Sequence, residues 1–294
     1  MSNRFVPITP RVGARVVASR ADVLSPGFAA ECRDALERHG VLLFPEIGLD
    51  DDEQVALSRN LGDVVPQGPR RPDGTQEVVF KITLDPSVNP SAEYLKATIG
   101  WHIDGLFDDA PPPKATMLSA RRLAASGGET EFCNTYAAYD DLPADERRRC
   151  EALRVVHSLE ASNRSYNPDP TPEDAERWRK AEALRERSGR IGVKEHPLVW
   201  RHATGRKSLV LGMTTDHVAG VPESEGQALL ARLTAHATRP ENVYRHEWSV
   251  GDLLLWDNCG VMHRALPYAA DSGRLMHRTV LHGVERISGV DAGA

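Results

Sequence analysis

The chain has 294 residues, 40% hydrophobic and 27% charged, with a net charge of -6, an ordinary globular balance without the basic field that draws nucleic acid. No apolar run approaches the ~18 residues a membrane span needs, and Pro7 and Pro10 interrupt an N-terminal segment that has no signal-peptide core. Cys32, Cys133, Cys150 and Cys259 stand far apart without CxxC spacing, which argues against a disulfide framework and for a reducing, cytoplasmic setting without membrane association.

Residues 5–17 read as a short strand broken by prolines. Ser25-Pro26 opens a helix with Pro at its first position, and Phe28, Cys32, Ala35 and Leu36 recur at helical spacing up to a stop at Gly40. Val41–Phe44 reads as a buried strand. A second helix is expected from Asp51, capped by that carboxylate with Gln54 completing a capping box, and ending at Gly62. From Glu77 to Leu84 apolar residues alternate, with Lys81 on the opposite face to Val78, Phe80 and Ile82. A proline-containing loop at 85–97 leads into Thr98-Ile99-Gly100-Trp101-His102-Ile103-Asp104-Gly105.

Strands are expected at Lys114–Ala120 and after Gly127-Gly128, with a helix near Pro143–Leu153. Residues 160–195 are charged and carry Pro168, Pro170 and Pro172. They read as an insertion, helical around Glu173–Arg187, that is either a lid over a site or solvated decoration. Strands follow at His196–His202, Lys207–Met213, Val243–Trp248, Asp252–Trp256, Cys259–Arg264 and Arg274–Gly283, interrupted by an amphipathic helix at Glu223–Thr238. Many short strands and few helices imply a mainly β fold with flanking helices. With no repeat and no linker, residues 1–294 read as one domain.

The chemistry centres on His102 and Asp104. In an extended segment, residues two apart project to the same face, so the pair supplies half of a metal site and needs a third ligand. His263 is the candidate, following the apolar run Leu253–Trp256 and a turn at Asp257-Asn258. Two histidines and a carboxylate leave one octahedral face open, the arrangement associated with non-haem Fe(II) oxygenases. Among 11 histidines any one alone is weak evidence, because a lone His is more often a hydrogen-bonded structural residue.

The segments Trp101–Asp104, Ser126–Phe132, Trp256–Asn258 and Arg274–Arg278 together resemble the taurine dioxygenase / 2,4-dichlorophenoxyacetate dioxygenase family. The motifs fall in the family's order, and the resemblance runs from about residue 10 to 285. Gly128–Cys133 and Ala137–Asp140 lie nearer the aryloxyacetate-oxidising branch. The resemblance implies a double-stranded β-helix (jelly-roll) core and an oxidoreductase that uses Fe(II), 2-oxoglutarate and O2. It implies His102, Asp104 and His263 as iron ligands, with no catalytic residue beyond them. Thr130 and Arg274 would take the far carboxylate of 2-oxoglutarate, a task that suits a guanidinium because it can make two parallel charge-assisted bonds. Arg278, at an even spacing from Arg274, would share its face and meet an anionic substrate.

The taurine enzyme's sulfonate-binding His and Tyr have no counterpart here. Gln67 and Arg70 stand in that loop, and Thr98 replaces an Asn. Taurine is thereby disfavoured, and the expected substrate is a small carboxylate with an apolar body. Arg278 would be its main anchor, joined by Arg70 or Lys81, with Gln67, Thr98 and Gly105 as further candidate contacts. Hydroxylation beside an ether or ester oxygen would end in cleavage. Competing readings are a metal-dependent hydrolase and a non-catalytic ligand-binding β-helix protein. Relatives often form a homo-oligomer, but no surface in the sequence specifies one.

Overall fold

The computed structural model of the chain describes residues 4–68, 70, 73–89, 92–108, 110–187 and 192–290. An eight-stranded sheet dominates, running Phe5–Pro7, Ala14–Val16, Val41–Phe44, Leu253–Asp257, Ala115–Arg122, Leu275–Leu281 and Val64–Val65 in spatial order. Phe80–Ile82 also pairs with Leu275–Leu281. The pairing is antiparallel except between Ala14–Val16 and Val41–Phe44, whose connection contains the helix Pro26–His39. A three-stranded sheet of Val243–His246, Thr130–Asn134 and Val261–Ala265 lies apart from it.

Side-chain alternation in Leu253–Asp257 shows how the layers form. Leu253 and Leu255 pack with Phe28, Cys32, Ala35, Leu36 and Leu57 of the helices covering one face. Leu254 and Trp256 pack with Phe132, Tyr244 and Val261 of the small sheet. A strand buried on both faces must be apolar at every position, and Leu-Leu-Leu-Trp is. Each such side chain contributes about 1.5–3 kcal/mol by leaving water. A third core joins Ile103 and Leu106 to Leu198, Trp200, Leu209 and the helix Glu223–Ala237. Among the described residues, no helix is long and apolar enough to cross a membrane.

Several expected elements shift. The N-terminal strand is two, Phe5–Pro7 and Ala14–Val16, paired as a hairpin. The capping box of the helix Asp51–Leu61 is Asp50 with Glu53, one residue earlier than expected. That frees Gln54, which is fully buried; its Nε2 donates to the His277 carbonyl (3.2 Å) and its Oε1 accepts from Ser119 (2.7 Å), fastening helix to sheet. The alternating run at 77–84 is a strand only at Phe80–Ile82. Short helices at Thr135–Asp140 and Leu159–Tyr166 are additions to the expected set; the second is started by Ser158, whose hydroxyl accepts from the Ala161 amide.

Burial pushes the His157 imidazole down to about 3 and that of His202 to about 4, so both stay neutral in the fold. In the unfolded chain they titrate near 6.5, and between these values the unfolded state binds more protons. Stability is therefore full above about pH 6.5 and falls with decreasing pH, by about 1.4 kcal/mol per pH unit for each imidazole in that window. Urea unfolding at pH 7, 6 and 5 should show the midpoint falling. His157→Asn, whose side-chain amide can replace Nδ1 as the partner of the Thr214 hydroxyl, should flatten the trend; an unchanged slope in that variant contradicts the assignment.

Candidate active site

His102 and His263 are joined through their backbones before any ligand is considered. Each amide donates to the other's carbonyl, at 3.0 Å and 2.9 Å, forming an isolated antiparallel bridge. His263 lies in the strand Val261–Ala265, whereas His102 follows the short 3-10 helix Lys96–Ile99 and Asp104 sits on the turn after it. The HxD pair is thus a bridged residue and a turn residue rather than two positions of a strand. Ligand atoms of His102, Asp104 and His263 all lie within 4.8 Å of one another, and His102 Nε2 is 3.7 Å from Asp104 Oδ1.

The protonation pattern suits a divalent metal. His102 Nδ1 donates to the Gly100 carbonyl at 2.8 Å; a carbonyl can only accept, so Nδ1 carries a proton and Nε2, on the side of Asp104, is the nitrogen left for a metal. Burial pushes the His263 imidazole down to about 3, which keeps it neutral. Burial opposes charge on Asp104, but the Arg278 guanidinium and a hydrogen bond from Thr116 favour it, and the carboxyl is held below its ordinary range. Two imidazoles and a carboxylate form a donor set that fits such an ion.

A polar chain that the sequence reading missed holds the carboxylate. Trp256 Nε1 donates to Asn258 Oδ1 (2.9 Å), and Asn258 Nδ2 donates to Thr116 Oγ1 (2.7 Å). Since Thr116 accepts there, its own proton is available for Asp104. The signal was present: Asn258 is a buried amide directly after an apolar strand, and such a group must be hydrogen-bonded. The indole of Trp256 also packs 4.8 Å from the His263 ring.

Arg274 is buried, and among the described residues no carboxylate pairs with it. Its Nη2 donates to the Gly128 carbonyl at 3.0 Å, and its guanidinium lies 4.7 Å from the Tyr268 ring. Any Cβ at position 128 would come within 2.8 Å of Arg274 Nε, so Gly128 makes room for the arginine. A buried cation without an internal counter-charge calls for an external anion. Thr130, buried in the strand Thr130–Asn134, follows two residues after Gly128.

The substrate candidates separate. Arg278 donates Nη2 to Gln67 Oε1 at 2.7 Å, lies over the Phe80 ring at 5.2 Å and leaves its buried Nε without a partner, so Arg278 and Gln67 come together beside Asp104. Arg70 is exposed and donates to the Gly74 carbonyl, closing a local bridge between Arg70 and Gln76. Lys81 is exposed because period two turns it away from the face of Phe80 and Ile82. Neither is placed beside Arg278 as expected. The Thr98 hydroxyl is committed to the Leu95 carbonyl at 2.7 Å. Gly105 has φ +81, and a Cβ there would meet Pro113 at 3.0 Å. Its role is to let the chain turn after Asp104.

The expected insertion, of which 188–191 lie outside the described residues, contains the helices Leu159–Tyr166 and Pro172–Arg187. The first packs against Lys96–Ile99. Ala161, Arg164 and Ser165 line one wall of a groove of about 1220 Å³ that also touches Gly100, Trp101 and Met213.

Residues 4–280 match the model of the family described as "Taurine catabolism dioxygenase TauD, TfdA family". The chain is 34% identical to an alpha-ketoglutarate-dependent 2,4-dichlorophenoxyacetate dioxygenase of Burkholderia sp. (strain RASC), over 88% of this chain and 87% of that one. It is also 34% identical to an alpha-ketoglutarate-dependent sulfate ester dioxygenase of Pseudomonas putida, over 94% and 88%. Among solved structures, AAD-2 in complex with Mn(II) and N-oxalylglycine superposes with a TM-score of 0.78 at 29% identity, covering 98% of this chain and 100% of that one. A taurine dioxygenase from Burkholderia xenovorans gives 0.74 at 28%, covering 98% and 92%.

The geometry yields a graded expectation for metal binding. In calorimetric titration with Co(II), Asp104→Ala should show no measurable site. Thr116→Val, which removes only the proton offered to Asp104, should weaken binding about 10–100-fold. Wild-type affinity in Thr116→Val would show that the polar chain does not support the carboxylate.

Proposed function

The chain belongs to the TauD, TfdA family, and from that premise we propose that it is an Fe(II)- and 2-oxoglutarate-dependent dioxygenase acting on a small organic acid, with iron held by His102, Asp104 and His263. The observation that carries this reading is the conjunction of that triad with Arg274, a buried guanidinium that no carboxylate of the described chain neutralises. A hydrolase built on the same triad would have no use for such a cation. The facing large and small sheets are, in this reading, the two halves of a double-stranded β-helix, and the chain is a single domain.

When bound, iron and 2-oxoglutarate supply the O2-dependent oxidation of a substrate C–H bond, with succinate and CO2 as co-products. The chain's residues hold and orient. Arg274 and Thr130 would take the distal carboxylate of 2-oxoglutarate, the arginine through charge-assisted hydrogen bonds. Arg278, braced by Gln67 and the Phe80 ring, would anchor the anionic end of the substrate and so fix which carbon faces the metal. The cores containing Ile103 and Met262 and containing Phe132 and Trp256 adjoin the ligands and keep bulk water from those sides. Leu159–Tyr166, packed on the segment leading to His102, is proposed as the fixed root of a lid.

A substrate with one carboxylate and an apolar body fits this constellation, since Arg278 is the cation placed beside Asp104 while Arg70 and Lys81 point away. Where the oxidised carbon carries an ether or ester oxygen, the hydroxylated product would collapse with cleavage. The names of the relatives, which refer to a phenoxyacetate and a sulfate ester, support including both chemistries in a test. A panel of aryloxyalkanoates, other organic acids and alkyl sulfates, read by succinate formation and O2 uptake, should reveal substrate-dependent turnover. With the best acid, Arg278→Ala should raise KM about 10–100-fold and leave 2-oxoglutarate binding unchanged. Full coupling and an unaltered KM in that variant would rule out the anchor.

A further inference from the structure

Thr130 is expected to donate to a carboxylate, yet a hydroxyl rotates freely and can equally turn its proton elsewhere. The structure contains a device that restricts it. Trp248 Nε1 lies 3.0 Å from Thr130 Oγ1. An indole N–H can only donate, so Thr130 accepts along one lone pair and its own proton must point away from the indole. No other hydrogen-bond partner takes the Thr130 hydroxyl among the described residues.

Trp248 is itself braced. Tyr244, His246 and Trp248 alternate along the strand Val243–His246 and its continuation, and His246 pairs in register with Thr130. The His246 ring meets the indole edge-on, with centroids 4.6 Å apart. The imidazole is tied at both nitrogens, Nε2 to Asp252 Oδ2 at 3.0 Å and Nδ1 to the Tyr244 hydroxyl at 2.7 Å. Asp252 also accepts the amides of Ser249 and Glu46, each at 2.8 Å. All three of Tyr244, His246 and Asp252 are buried. With both ring nitrogens and the Asp252 carboxylate hydrogen-bonded, the buried assembly fixes the orientation of the His246 ring against the indole.

We propose that Trp248 is a positioning residue for co-substrate binding: its N–H, held by the Tyr244–His246–Asp252 assembly, orients the Thr130 hydroxyl so that its proton meets the distal carboxylate of 2-oxoglutarate. This rests on the co-substrate assignment above. Trp248→Phe keeps the ring against His246 and removes only the donor.

The test is anaerobic calorimetric titration of the Mn(II)-loaded full chain with 2-oxoglutarate, in wild type, Trp248→Phe, Thr130→Val, Thr130→Ser and the Trp248→Phe/Thr130→Val double variant. Trp248→Phe should weaken binding about five-fold, the loss of one neutral hydrogen bond's worth of orientation. The double variant should be no weaker than Thr130→Val alone, since the indole acts only through the hydroxyl. Thr130→Ser should bind like wild type, and Mn(II) affinity and thermal midpoint should hold in Trp248→Phe. Steady-state kinetics should show KM for 2-oxoglutarate rising while KM for the acid substrate stays constant. Unchanged 2-oxoglutarate affinity in Trp248→Phe, or additive losses in the double variant, would overturn the inference alone. Failure of the wild-type protein to bind 2-oxoglutarate would overturn the co-substrate assignment and the inference with it.

Discussion

The reciprocal backbone pair between His102 and His263 is the constraint on which the rest of the site depends. It brings two imidazoles from distant parts of the chain to a ring separation of 4.2 Å without using any side-chain atom. Both rings therefore keep their nitrogens for other work. The turn immediately after His102 then has a single task, to bring the Asp104 carboxylate back towards the pair, and Gly105 supplies the left-handed backbone that the turn requires.

Around that pair the fold arranges charge in a graded way. Burial keeps the His263 imidazole neutral, and the Gly100 carbonyl holds the proton of His102 at Nδ1. The carboxylate is ionised, helped by Arg278. Further out sits Arg274, whose charge is left unanswered by the described chain. Burying a guanidinium without a counter-ion is costly, and a fold tolerates that cost where a ligand supplies the missing charge. The site is thus polarised before anything binds, with a cation for each of the two anionic groups the proposed reaction requires.

The hydroxyls beside the charged groups follow a shared logic. Thr116 is made an acceptor by Asn258, and Thr130 by Trp248. In each case a donor from a neighbouring strand or turn occupies one side of the threonine oxygen, leaving its proton to point elsewhere. The donors belong to the segment 243–258, which threads from the small sheet into the large one. In the proposed reading, a single stretch of chain thereby supports both the metal carboxylate and the co-substrate end.

Much of this was legible in the residues. The apolar run Leu253–Trp256 announced a doubly buried strand, the HxD pair announced a ligand set in need of a partner, and the ordered motifs pointed to His263, Thr130, Arg274 and Arg278. These signals are local in composition or spacing, so a linear reading can find them. Other features were decided only by the tertiary structure. Asp50, not Asp51, caps its helix because the backbone enters one residue earlier, and that shift is what buries Gln54. Arg70, Lys81 and Thr98 looked like substrate contacts, but local bridging, strand phase and a helical carbonyl engage or direct them elsewhere. Asn258 was noticed only as part of a motif, and Thr116 and Trp248 not at all, because a hydrogen-bonding group gains its meaning from the partner it meets, and these partners come from other parts of the chain. The sequence determined which chemical groups the site contains; the three-dimensional pairing of strands decided which way their lone pairs and protons face.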